Sequence, residues 1–98
     1  MNEFEKARVA NEPTLVELFR PGDGKCREME PVVAELKARF AGKAQVIAVD
    51  GTAHPDVMKE YKVASYPCWL LFKDGQVVWR TYGRPDTGEL EQMVHDFV

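Results

Sequence analysis

The stretch Cys68-Trp69-Leu70-Leu71-Phe72-Lys73-Asp74-Gly75-Gln76-Val77-Val78-Trp79-Arg80-Thr81-Tyr82 decides the fold. Both of its ends are rich in β-branched, aromatic and other apolar residues, which suit extended backbone. Between them, Asp74-Gly75 favours the positive-φ conformation of a tight hairpin turn. The spacing predicts 68–72 paired antiparallel with 77–82, the second strand lying at a sheet edge.

Working outward, Thr14-Leu15-Val16-Glu17-Leu18-Phe19 is a nearly continuous apolar run. Such a run suits a central strand covered on both faces. Gln45-Val46-Ile47-Ala48-Val49-Asp50 predicts another strand. Helical spacing fills the gaps. Residues 3–10 predict a short helix with Phe4, Ala7 and one of Val9 or Ala10 inward, stopped by Asn11-Glu12-Pro13. Pro21-Gly22-Asp23-Gly24 reads as a loop. Cys26, Met29, Val33, Leu36 and Phe40 recur at helical spacing over about 24–40, with Val32 on the flank, Pro31 inside and Gly42 closing. Pro55 opens a short helix over 55–61. The last helix, about 87–97, carries Leu90, Met93, Val94 and Phe97 on one stripe, and Asp86 with Glu89 resembles a capping pair.

The order α-β-α-β-α-β-β-α predicts an α/β fold. It implies a mixed four-stranded sheet with helices on both faces. At 98 residues the whole chain, 1–98, reads as one domain. The 45% apolar and 30% charged residues are the balance of a globular domain. A net charge of −3 argues against general nucleic-acid binding, which needs a basic face. No apolar run approaches the roughly 18 residues of a membrane span. The charged start Met1-Asn2-Glu3-Phe4-Glu5-Lys6 is unlike a signal peptide, so the expected location is cytoplasmic. Two cysteines, Cys26 and Cys68, are too few for a disulfide scaffold. Neither has histidines at zinc-ligand spacing, and no metal or other cofactor is expected.

The chain resembles thioredoxin from about residue 4 to its end. Leu15-Val16-Glu17-Leu18-Phe19 resembles that family's central strand with its buried acid. Pro31 matches the proline of its active-site helix, and Val49-Asp50 its next strand end. Tyr61-Lys62-Val63-Ala64-Ser65-Tyr66-Pro67 resembles its run into a cis-proline, Phe72-Lys73-Asp74-Gly75 its hairpin turn, and Gly83 its glycine before the last helix. Each match is short; their order and spacing together are specific. The resemblance implies a thioredoxin fold lacking a counterpart of the family's first strand, and a cis Tyr66–Pro67 bond. It implies a groove for an extended polypeptide, with binding positions at Phe19, Gly22, Lys25, Tyr66, Pro67 and Gly83.

The departures from the family pattern bear on function. The family's redox motif, Trp-Cys-Gly-Pro-Cys, corresponds here to Gly22-Asp23-Gly24-Lys25-Cys26. Asp23 stands at the attacking position, and only the resolving cysteine remains, as Cys26. Val46 corresponds to the lysine that often partners the buried acid, and Cys68 follows the proline where threonine is common.

Cys26, Cys68, Glu17 and Asp23 are the candidate catalytic residues. Cys26 sits where a helix dipole favours a thiolate, with Lys25 and Arg27 beside it, while Asp23 opposes a second negative charge. It is equally readable as a small buried hydrophobe. Asp23 is among the best N-cap residues, and capping is its plainer role. Glu17 must be neutral, paired or in reach of water. A Cys26–Cys68 disulfide requires converging Cβ vectors, yet strand alternation turns Cys68 away if Pro67 faces the helix. Three readings follow: thiol–disulfide exchange through a single cysteine, peptide binding without chemistry, or a subunit pairing through the edge at 45–50. The first two expect a protein or peptide partner, and a monomer is expected.

Overall fold

A computed structural model describes residues 1–98. The sheet runs β2-β1-β3-β4, with β1 Thr14–Phe19, β2 Gln45–Asp50, β3 Cys68–Lys73 and β4 Gln76–Tyr82. β1 pairs parallel with β2 and antiparallel with β3; β3 pairs antiparallel with β4. The expected mixed sheet is therefore present, and β4 is an edge. Asp74 and Gly75 adopt φ of 53° and 81° in the hairpin turn. A register shift between Leu71 and Phe72 puts a bulge into the hairpin.

The helices are α1 Glu3–Val9, α2 Gly24–Arg39, α3 Pro55–Glu60 and α4 Thr87–His95, with a 3₁₀ turn at Gly51–Ala53. None is long and apolar enough to cross a membrane. Alternation along the strands sorts the core into two layers. Leu15, Trp69 and Leu71 face α2 and α4 with Met29, Val33, Leu36, Leu90 and Val94. Val16, Leu18, Cys68, Leu70 and Phe72 face α1 and α3 with Phe4, Ala7 and Val57. β1 and β3 each have five consecutive buried residues, as strands covered on both faces must.

Several local expectations change. Val9 points outward, 59% exposed, so α1 docks through Phe4 and Ala7. Asp86 and Glu89 do not form a capping box: the Glu89 N–H is bonded to the Asp86 carbonyl, and the Asp86 side chain caps nothing. Asn2 does cap α1, accepting the Glu5 N–H at 2.8 Å.

Candidate functional site

The site lies where β1 ends and α2 begins. Gly22, at φ 79°, turns the chain, and Asp23 starts the helix. Asp23 Oδ1 accepts the Cys26 N–H at 3.1 Å, and Oδ2 accepts from Arg20 Nη2 at 2.6 Å. Asp23 is therefore an N-cap, its carboxyl held low at about 2 by the Arg20 hydrogen bond first and the Cys26 N–H second.

Cys26 occupies the first turn of α2 and is 5% exposed. The Arg20 N–H points at its sulfur, 3.5 Å away. Burial pushes the thiol up; the Arg20 N–H pulls it down, and the Asp23 carboxylate adds to the rise. The helix terminus does not win here, so Cys26 is a protonated thiol at neutral pH.

Glu17, on β1, is 3% exposed, and its Oε2 has no hydrogen-bond partner. Burial, with a smaller contribution from Glu30, pushes its carboxyl up to about 7. It makes no ion pair: its strand neighbours are Ala48 and Trp69, and Val46 lies in the core beside Leu15. Glu17, Phe19, Gly22, Asp23 and Cys26, with Arg20, Arg27 and Glu30, line one cavity of about 240 Å³. It is polar enough and roomy enough for several waters.

The other expected residues fall around this cavity or away from it. Tyr66 stands beyond Arg20, its ring centre 5.4 Å from the guanidinium carbon. The Tyr66–Pro67 bond is cis. The Pro67 carbonyl accepts the Gly83 N–H at 2.9 Å, and Gly83, at φ 81°, accepts Trp69 Nε1–H at 3.1 Å. Lys25 is exposed on α2 and does not line the cavity. Cys68 does not join Cys26. It pairs with Leu18 on the opposite face of the sheet, wholly buried under α1 and α3, so the two thiols are free and cannot be bridged by side-chain rotation. Burial pushes the Cys68 thiol up, against the Arg80 guanidinium 3.9 Å away. No cluster of metal-ligating side chains is present.

Sequence reasoning passed over Arg20. Its position, between the strand end and a Pro-Gly turn, reads as a solvated loop charge. Only the folded chain brings Asp23, Tyr66 and Cys26 around it.

Residues 1–96 match the thioredoxin family model. The chain belongs to the thioredoxin family. It is 32% identical to thioredoxin C-2 of Corynebacterium nephridii over 85 residues, 87% of this chain and 79% of that one. It is 35% identical to thioredoxin 1 of a Nostoc species over 80 residues, 82% of this chain and 75% of that one. Among solved structures, a thioredoxin from Nicotiana alata superposes with a TM-score of 0.81 and 29% identity, covering 96% of this chain and 80% of that chain. Membership brings a thiol redox role with protein substrates. In this thioredoxin-family site, one of the two thiols, Cys26, lies on the cavity side of the sheet.

Proposed function

We propose that the protein performs thiol–disulfide exchange through Cys26 alone. The observation that carries this reading is the shared cavity of Cys26 and Glu17, a single thiol beside a buried carboxyl that titrates near neutrality. An extended segment of a partner protein lies against Tyr66-Pro67. The ionised Glu17 takes the thiol proton, directly or through a water. The Cys26 sulfur then attacks one sulfur of the partner's disulfide. A bond forms between the two, the partner's S–S bond breaks, and its second sulfur leaves as a thiolate that takes up a proton. Cys26 is thereby oxidised to the disulfide level and the departing sulfur reduced. Release needs a second thiol, either the partner's own or a small-molecule thiol, because no cysteine stands three residues before Cys26.

A second reading, peptide holding without exchange, is favoured by one observation: Cys26 is 5% exposed and its thiol is pushed up. Incubation with a disulfide-linked peptide, followed by acid quench and intact-mass measurement, separates the two. Exchange predicts one peptide adduct, lost in Cys26→Ser and kept in Cys68→Ser. Peptide binding by the wild type with no adduct at any pH supports holding instead.

A further inference from the structure

Arg20 is an exposed cation of the site whose guanidinium two neighbours hold in place. Asp23 anchors one guanidinium nitrogen at 2.6 Å, and the Tyr66 ring lies against the guanidinium at 5.4 Å. Tyr66 is itself fixed from behind. A Cβ on Gly51 would meet Tyr66 Cε1 at 2.7 Å and Met58 Sδ at 2.9 Å, so glycine is what lets the ring lie there. Through its backbone N–H, Arg20 also touches the Cys26 sulfur.

The guanidinium carries five N–H donors in a planar fork. Asp23 occupies one; the others have no partner in the chain, and the side chain is 56% exposed. Asp23 does not compete outward, because its side chain is 10% exposed and its two oxygens are engaged by Cys26 and Arg20. Nearby, Glu28 is tied to Arg84 at 2.6 Å, while Lys25 and Arg27 are exposed and make no ion pair. Glu30, also exposed and without an ion pair, lines the same cavity as Arg20, so the rim carries both signs, and Arg20 is the cation there whose fork Asp23 and Tyr66 orient.

We propose that Arg20 is a specificity-determining residue. It receives a carboxylate of the partner polypeptide and selects segments that carry an acidic residue beside the cysteine to be exchanged. A planar fork pairs with a carboxylate through two parallel hydrogen bonds, and one already oriented by Asp23 and Tyr66 loses little freedom in doing so. This inference rests on the single-thiol exchange reading and names the substrate class of that same step.

The test uses three short peptides whose cysteine is activated as a 2-thiopyridyl disulfide, with Asp, Asn or Lys next to it. The rate of thiopyridone release is followed at limiting protein. The wild type is expected to react about tenfold faster with the Asp peptide than with the Asn peptide, and slowest with the Lys peptide. Added salt narrows the spread. Arg20→Gln abolishes the order, Arg20→Lys restores part of it, and Arg20→Glu reverses it. Comparing variants peptide by peptide cancels each peptide's intrinsic reactivity. Equal Asp-to-Lys rate ratios in the wild type and Arg20→Gln overturn the inference while leaving exchange through Cys26 standing. Failure of every peptide to react with Cys26 overturns both.

Discussion

Glu17 is buried on β1 with an unsatisfied carboxyl oxygen, and that burden should appear in the protein's stability. Below the ordinary carboxyl value of 4.5, folded and unfolded chains both carry it neutral. As pH rises, the unfolded chain releases the proton while the folded chain keeps it up to about 7, so stability falls across that window. Above it, the accumulated loss is about 3 kcal/mol. Glu17→Gln removes the ionisation. Denaturant unfolding should find the variant and wild type alike near pH 4, and the variant more stable by about that amount near pH 8. A parallel dependence in both would remove the burial account. Asp23 acts in the opposite direction: held low by Arg20, it supports the fold at neutral pH and ceases to do so as pH falls through about 2. Its charge also opposes a thiolate at Cys26. Asp23→Asn keeps a capping oxygen and removes that charge, so alkylation of Cys26 by a neutral reagent should speed up modestly, most at low salt. An unchanged rate would mean that Cys26 does not feel the carboxylate.

Among the elements, the 3₁₀ turn at Gly51–Ala53 is the one that shapes the groove from outside the active-site helix. Gly51→Ala should drive Tyr66 and Met58 from their places at a cost of about 1–3 kcal/mol, as overpacking does. Tyr66→Ala in the same chain should recover much of the loss, and a double-mutant cycle of unfolding free energies measures the coupling. Additive losses would show that the two residues do not share that space. The strands were readable from sequence because β1 and β3 are apolar on both faces and Asp74-Gly75 marks the hairpin. Helix ends were less so. Asp86 has the right residue type for a cap, but only a backbone bond forms there. The site was legible in part: Glu17, Asp23 and Cys26 were expected together and share the cavity. Cys68 was carried among the catalytic candidates although strand alternation already turned it away, and Arg20 was passed over. Which side of the sheet a residue faces, and what stands over a loop, follow from register and crossover paths. Leu18 opposite Cys68 settles the first; the approach of Tyr66 to Arg20 settles the second.

At the scale of the whole molecule, the thioredoxin frame is kept. The β2-β1-β3-β4 sheet, the two core layers, the cis Tyr66–Pro67 bond and the buried acid all stand in place. At the mouth of α2 an aspartate, Asp23, caps the helix, and no cysteine stands three residues before Cys26. The Cys68 sulfur cannot substitute, since the sheet lies between it and Cys26. Turnover should therefore be limited by the missing second thiol, while the frame remains ready to use one. Dithiothreitol-driven insulin reduction tests this most directly, with the wild type and Asp23→Cys assayed side by side. The wild type should show little or no turnover, and Asp23→Cys, which restores the two-cysteine spacing on the same helix start, should raise it clearly. Wild-type turnover equal to that of Asp23→Cys would contradict the account, because another group would then be resolving the mixed disulfide.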